Sequence, residues 1–471
     1  MGSAASTGLR APLKFCGALF LGLLFAFPSV VAADKTKHPE PSAIEQKDAE
    51  KEVQKLFPLP AKDPAARKRH AMKLLVAAVG KELSDRPSQQ FIVLRQARDI
   101  AYGVGDLETT LRAVVALAQH FQGDARGWMV DAIVTASRSE TALSGKIVRA
   151  CVDFVTSIRT HADFENGKRL AAIVGGFARK TDSAWLRGNL EGCTETLRGL
   201  EGWQGVVVAA NSKVASNPED PGANEILGKF LCLVADQWEQ GLPFLSRSGD
   251  PRLVDLAKAE LLSRETLDRQ SELARSWWDR SVEEKDGTLQ SAMQMRAGKW
   301  FTAALPHLSG AEKALAEAHL AKLPQRFLSD LEEFDVHVAV GWLGKTGDLG
   351  HRAPEGESRI VVNGLAARRG LGAHPPPQGA SRVCYELNRA YKKLRVWVAL
   401  NDSARAPRGT VTFVVKGDGK VLWRSSPIKK KEQSQLCTAS VEGVVTIELS
   451  AECPGSNHYA HAVWLDPVVS R

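Results

Sequence analysis

Apolar positions follow two regimes along the 471 residues. From 61 to about 323 they recur with a helical period. Ala71, Leu74, Leu75, Ala78 and Val79 share one face of a helix expected over 65–81. The same pattern predicts helices over 91–102, 107–121, 126–137, 145–160, 164–178, 183–200, 222–241, 251–264, 268–284, 288–305 and 310–323. Gly103-Val-Gly-Asp106 divides two of them, because glycine ends a helix and aspartate caps the next. From 334 onward the period drops to two, and Phe334, Val336, Val338 and Val340 face one way. Further strands are expected over 359–363, 382–387, 394–400, 409–415, 420–425, 435–441, 444–450 and 459–465. Lys416-Gly-Asp418-Gly419-Lys420 signals a hairpin, since Gly and Asp tolerate positive φ. Short strands in this number argue for a sandwich or jelly roll.

The chain therefore divides into a leader over 1–33, a linker over 34–60, a helical region over 61–326 and a β-module over 334–471. In the leader, Arg10 and Lys14 precede an apolar run, and Ser29-Val-Val-Ala-Ala33 closes it. That is the layout of a signal peptide cleaved near Ala32 or Ala33. The rival is an uncleaved anchor, for which the run is short. No later segment is apolar enough to span a membrane. The linker holds Pro39, Pro41, Pro58 and Pro60, with one short helix expected across 43–56. In the helical region two Leu-Pro-x-Leu segments, at Pro243 and Pro306, lie 63 residues apart. That is nearly twice the ~34-residue unit of tetratricopeptide-like helix pairs. The expectation is a tetratricopeptide-like α-solenoid, with a plain helical bundle as the alternative. Trp277, Trp278 and Trp300 fall on these helices, where packing between helix pairs is the commoner use of tryptophan.

Charge sharpens the division. The formal net charge is +8, and residues 334–471 carry 19 Lys and Arg against 12 Asp and Glu, a net +7. The basic character thus belongs to the module, and an anionic partner fits it: acidic polysaccharide or envelope glycan. Lys429-Lys-Lys431 reads more simply as a solvated turn. Export makes nucleic acid the weakest partner, and none is assigned. Export also permits disulfides. Cys151, Cys193 and Cys232 lie in helical apolar contexts and read as buried thiols. Cys437 and Cys453 flank a hairpin expected to turn near Glu442-Gly443, and they are predicted to pair, with Cys384 as competitor. No CxxC or His-x-Cys spacing suggests a metal.

No catalytic constellation emerges: HExxH and GxSxG are absent, and Gly344-Lys345-Thr346 lacks the first glycine of a phosphate loop. Recognition residues are easier to nominate. Over 394–400, Leu394, Val396, Val398 and Leu400 share one face while Arg395, Trp397 and Ala399 share the other. With the aliphatic face inward, Trp397 points to solvent or to the helical region. A flat indole stacks on sugar rings, and Arg395 beside it bonds hydroxyls or carboxylates. Tyr459, His461 and Trp464 alternate imperfectly and cannot all face one side. His374, in a Pro-rich loop, is placed to approach them. A structural corner is the plainer reading of Trp464.

These residues form an ordered set. Gly341 and Gly344, Val361-Val-Asn-Gly364, Gly370-Leu-Gly-x-His374 and Tyr385-Glu-Leu387 come first. Tyr391, Gly417-Asp-Gly419-Lys-Val-Leu-Trp423 and His461-Ala-Val-Trp464 follow. The module resembles the NPCBM family of carbohydrate-binding modules, found in secreted bacterial proteins. The resemblance implies a galactose-binding-like β-sandwich that binds carbohydrate without cofactor. Many members carry acids around the closing His-Ala-x-Trp, where this chain has Ala460 and Val463. Asp466 is the acid left for a ligand or a structural calcium. The carbohydrate-binding candidates are thus Trp397, Arg395, His374, Tyr459, His461 and Asp466. The resulting expectation is a secreted or periplasmic, non-catalytic protein in which helical repeats carry a sugar-binding sandwich. The alternatives are a protein-binding scaffold with its partner on the helices, and a glycoside hydrolase.

Overall fold

The computed structural model describes residues 37–60, 63–80, 83–138, 145–262, 269–351, 358–404 and 408–471. The expected signal peptide lies outside them. Fifteen α-helices occupy the N-terminal part of the described residues. They are α1 (Ala43–Leu56), α2 (Pro64–Val79), α3 (Pro87–Gly103), α4 (Leu107–His120), α5 (Ala125–Arg138), α6 (Gly145–His161), α7 (Phe164–Lys180) and α8 (Ala184–Glu201). After them come α9 (Gln204–Ser216), α10 (Pro221–Lys229), α11 (Trp238–Leu245), α12 (Pro251–Leu262), α13 (Gln270–Glu283), α14 (Gly287–Ala304) and α15 (Gly310–Ala321). Their starts follow from capping. Asp63, Asp106, Asp163, Ser183, Asp220 and Asp286 each accept from a backbone N–H of the first turn. Two helices depart from the periodicity. α9 was hidden because Val206 and Val208 of its apolar run are exposed while Val207 is buried. The single helix expected over 222–241 breaks into α10, a π-helical turn at Phe230–Val234 and α11. Asp236 at φ 56° makes the break, and its carboxylate accepts from Trp238 Nε1 at 2.8 Å.

The β-module is a sandwich of antiparallel sheets. The first has the order β1 (Gln325–Phe327), β12 (Ala462–Ser470), β7 (Lys393–Leu400), β10 (Ser434–Ser440), with β5 (Leu371–Gly372) also on β12. The second runs β2 (Glu333–His337), β6 (Ala380–Glu386), β11 (Thr446–Glu452), β8 (Thr412–Gly417), β9 (Lys420–Arg424). A short hairpin joins β3 (Val361–Val362) to β4 (Leu365–Ala366). Between the sheets, Leu394, Val396, Val398 and Leu400 meet Val383, Tyr385, Phe413 and Leu449. Trp464 is buried there too, edge-on to Phe413 at 5.1 Å. The turn at Asp418–Gly419 forms as expected, with φ values of 50° and 80°.

β7 alternates as the sequence predicts, but neither face is open. Trp397 and Ala399, with Val463 and Leu465 of β12, join one hydrophobic core with residues of α6, α7 and α8. A Cβ at Gly188 of α8 would lie 2.6 Å from the Trp397 ring, so only glycine admits the indole there. Trp185 of α8 meets Trp397 edge-on, centroids 6.2 Å apart. Trp185 N donates to Ser434 Oγ of β10 at 2.9 Å, and Asn363 Nδ2 in the β3–β4 turn donates to Ser183 Oγ at 2.7 Å. The module is docked rather than tethered.

Three expectations are corrected. β2 buries no apolar face: Phe334, Val336 and Val340 are exposed, because β2 is an edge strand whose register shifts after Phe334. The stretch before 334, which the sequence places outside the β-module, supplies β1 to the first sheet. Cys437 and Cys453 stand as free, buried thiols, as does Cys384. β10 and β11 do turn at Gly443, but they belong to different sheets. Cys437 faces Val396 of β7, while Glu448 pairs with Cys384 and Lys416 instead of closing a hairpin with β10. Val441 and Val444 enter the core and carry the chain across the sandwich.

Two outcomes are expected. Trp397→Ala empties a site sealed by both domains and should cost about 3–5 kcal/mol, read by denaturant unfolding of the whole chain. A loss below about 1 kcal/mol would show that the indole does not hold the interface. Burial raises the Cys437 thiol to about 12, so the native thiols should resist Ellman-type reagents. All six described cysteines should become reactive on unfolding without reductant, and a Cys437–Cys453 crosslinked peptide would restore the disulfide.

Candidate functional site

The six nominated residues fall into two places. His374, Tyr459 and His461 come together at one end of the sandwich. The end is built by loops: the turn between β5 and β6 brings His374, the turn before β12 brings Tyr459 and His461, and the loop after β2 brings His351. The His461 ring lies 4.7 Å from His351, 5.8 Å from His374 and 5.9 Å from Tyr459. His458 stacks on Tyr459 at 4.5 Å. Tyr459 itself sits at φ 59°, a left-handed conformation that turns the chain into β12.

A polar relay fixes His461. Asn401, just past β7, takes its place because its Oδ1 accepts from Val361 N at 2.6 Å. Its Nδ2 donates to Ser403 Oγ at 2.8 Å, and Ser403 Oγ lies 2.7 Å from His461 Nδ1. With Ser403 accepting from Asn401, its own proton serves Nδ1, and His461 presents Nε2–H. Burial, and then the neighbouring His351, His374 and His458, push the His461 pKa down to about 4. Burial lowers His374 as well. At neutral pH His461 and His374 are therefore uncharged donors and acceptors. Among the described residues no His, Cys, Asp and Glu cluster suited to a metal ion occurs.

Trp342 was missed in the sequence. It is 48% exposed, beside this rim. Its N donates to Gly350 O at 2.7 Å, next to His351, and Ala339 N donates to His374 O at 3.0 Å. Gly341, at φ 78°, is held close to Gly350 and His351, where a side chain would collide with backbone. The doublet Gly341-Trp342 was the available signal: a glycine that permits close backbone approach, followed by a large aromatic in a loop.

Trp397, Arg395 and Asp466 lie elsewhere. They line a cavity of about 330 Å³ between β7, β12 and helices α6 and α8. Trp397 is only 8% exposed, packed toward the helical region, the second of the two directions that the sequence leaves open. Arg395 is exposed, its guanidinium 5.9 Å from the Trp397 ring. Asp466 sits in a bulge of β12, at φ 47°, where it accepts from Arg369 N at 3.1 Å, and burial raises its pKa. Asp466 lies five positions after His461, on the order of 17 Å along a strand.

A β-sandwich with a loop-built rim of aromatic and polar side chains defines the C-terminal module. Residues 325–470, the C-terminal module, match the NPCBM/NEW2 domain. Among solved structures, the CBM51-2 and INT domains of Clostridium perfringens ZmpB match at 20% identity and TM-score 0.26, covering 31% of each chain. The CBM51 of a Clostridium perfringens GH95 protein, in complex with methyl-galactose, matches at 17% and 0.26, covering 31% of this chain and 99% of that one. Tandem CBM51 modules of a family 98 glycoside hydrolase from Streptococcus pneumoniae match at 20% and 0.28, covering 31% and 47%. This chain thus spans under a third of the ZmpB protein that it matches. No curated protein matches the chain.

The histidines make a pH prediction. In the unfolded chain His461 takes a proton near its ordinary 6.5, whereas the folded site refuses it down to about 4. Stability should therefore be intact above about 6.5 and decline as pH falls toward 4. Asp335 and Asp418, held low by hydrogen bonds from Arg382 and from the Thr446 and Val445 backbone, act below the ordinary carboxylate range. Melting curves of His461→Gln should decline less between pH 6.5 and 4 than the wild type. Parallel curves would remove His461 as the cause.

Proposed function

We propose that the protein is an exported, non-catalytic carbohydrate-binding protein, whose sandwich takes a sugar at the His374–Tyr459–His461 rim and whose helices carry that module. The observation that carries the reading is Trp342, an exposed tryptophan whose backbone is tied next to His351, on an NPCBM/NEW2 domain. Sugar recognition uses an aromatic face for the C–H surface of the ring and nearby neutral donors and acceptors for hydroxyls. The rim supplies both, and all its named side chains come from the module. His461 Nε2–H is a donor there, and the His374 and His351 rings flank it. Among the described helices none is long and apolar enough to cross a membrane, which agrees with a surface or periplasmic setting after leader cleavage. The net positive charge of the module favours glycans carrying acidic groups.

The test is calorimetry of the full chain with methyl-galactose and GlcNAc as first probes, followed by a glycan array. Trp342→Ala should weaken binding by about 1–3 kcal/mol, by analogy with base–aromatic stacking, and His461→Gln should weaken it without unfolding the module. Binding that survives both substitutions would move the site off the rim. Absence of any glycan ligand on the array would leave the module without its proposed role.

A further inference from the structure

The cavity between the module and the helices is a second kind of site. Its walls come from both domains, so it exists only in the docked protein. Trp185 of α8 and Trp397 of β7 form an apolar floor. Around it stand Arg159 of α6, Asn189 of α8, Arg395 of β7 and Asp466 of β12. Two glycines one turn apart, Gly188 and Gly192, leave the face of α8 bare. Gly188 receives the Trp397 ring, whereas a Cβ at Gly192 would meet nothing within 4 Å. Gly192 and Arg395 are both exposed, so the space opens to solvent between them. Its volume, about 330 Å³, lies at the lower end of small-molecule sites, about 300–1,000 Å³.

The electrostatics favour one sign. Two guanidiniums face a single carboxylate. That carboxylate already accepts from the Arg369 backbone, and burial weakens its ionised form. The wall therefore carries a positive excess in a partly desolvated space, where an anion gains most. Two donors in the wall residues, Trp185 Nε1 and Arg159 Nε, are buried without a partner in the protein. Aromatic floor, side-chain amide and paired guanidiniums together fit a ring with an apolar face, hydroxyls and one carboxylate.

We propose that this interdomain cavity binds a hexuronic acid residue, its carboxylate between Arg159 and Arg395 and its ring over the bare, exposed face of α8 at Gly192, at the edge of the buried indole pair. The site goes beyond the rim: it is separate in space, and helix residues are half of it. It makes the helical part a component of recognition.

The experiment uses the full chain with methyl glucuronide and methyl galacturonide as probes, methyl glucoside as the neutral control, and tryptophan fluorescence with saturation-transfer NMR as readouts. At least one uronide should bind and quench tryptophan emission, with the neutral glycoside at least tenfold weaker. Gly192→Phe, which grows from a bare and exposed helix surface into the space, should abolish uronide binding. Arg395→Gln should reduce it about tenfold or more. Trp342→Ala should leave uronide binding unchanged while weakening rim binding, which separates failure of this site from failure of the rim. No uronide binding, equal binding of the neutral glycoside, or uronide binding that survives both Gly192→Phe and Arg395→Gln would each overturn the proposal. Circular dichroism and the melting temperature confirm that the Gly192→Phe chain is folded. If that chain unfolds, Arg395→Gln, at an exposed position, decides alone.

Discussion

The arrangement of the whole molecule depends on one side chain entering one gap. Trp397 projects from the outer face of the sandwich into the notch that Gly188 leaves on α8. Around that contact, Ala399, Val463 and Leu465 continue the apolar surface, and α6, α7 and α8 close over it. Burial of a large aromatic is worth several kcal/mol, and here neither domain can cover it alone. Isolated, the first sheet would show solvent an apolar face, which is a liability. The hydrogen bonds from Trp185 N to Ser434 and from Asn363 to Ser183 then set the orientation, because each joins a helix start to a fixed point on the module. Hydrophobic contact supplies the attraction, and the polar contacts at its margins supply the register.

That interface decides where recognition takes place. One candidate site sits at the end of β7 where β12 begins, and the other lies on the helix-facing side of the pair, at the bulge of β12 where Arg395 is exposed. At the first the chain leaves the sheet through Asn401 and enters it after His461, so loop residues gather and the polar relay through Ser403 holds them. At the second, the bulge between Leu465 and Val468 lifts Asp466 away from the ladder and toward the helices. Burial keeps His461 and His374 neutral at the first site, whereas guanidiniums outnumber the carboxylate at the second. The two sites thus differ in charge as well as in geometry.

Much of this was legible in the sequence, for identifiable reasons. The helical region announced itself because its helices are amphipathic and begin at Asp or Ser caps. α9 did not, since adjacent valines of its apolar run lie on opposite sides of the surface. The alternation over 394–400 correctly separated the two faces of β7, but alternation reports that a face is covered only when its residues are apolar. Arg395, Trp397 and Ala399 form a mixed face, so alternation alone could not choose between solvent and the helical region as its cover. The same limit explains the cysteines. A two-residue turn looks identical whether it closes a hairpin or carries the chain between sheets, and only the burial of Val441 and Val444 distinguishes them. His374, Tyr459 and His461 were found as chemistry-bearing residues in turn-rich sequence. Trp342 was overlooked because a lone aromatic in a loop carries no period.

Docking also changes what the helical part can mean for function. A module on a flexible linker samples orientations and gains reach, whereas a module fixed by a shared core presents its rim in one direction. Here β1 follows α15 after a short link, and Arg471 at the chain end donates from its backbone N–H to Pro324 O at 3.1 Å, so the two termini of the module are drawn together at the helical junction. The rim, built from the loops after β2 and β5 and the turn before β12, lies at the other end of β12 from that junction. A glycan held there would be oriented by the helices without touching them, and any guest in the interdomain cavity would bind only the docked form. Such a guest stabilises docking by mass action, because it has no site when the domains part. Rigid presentation and composite recognition are then two consequences of the same buried tryptophan.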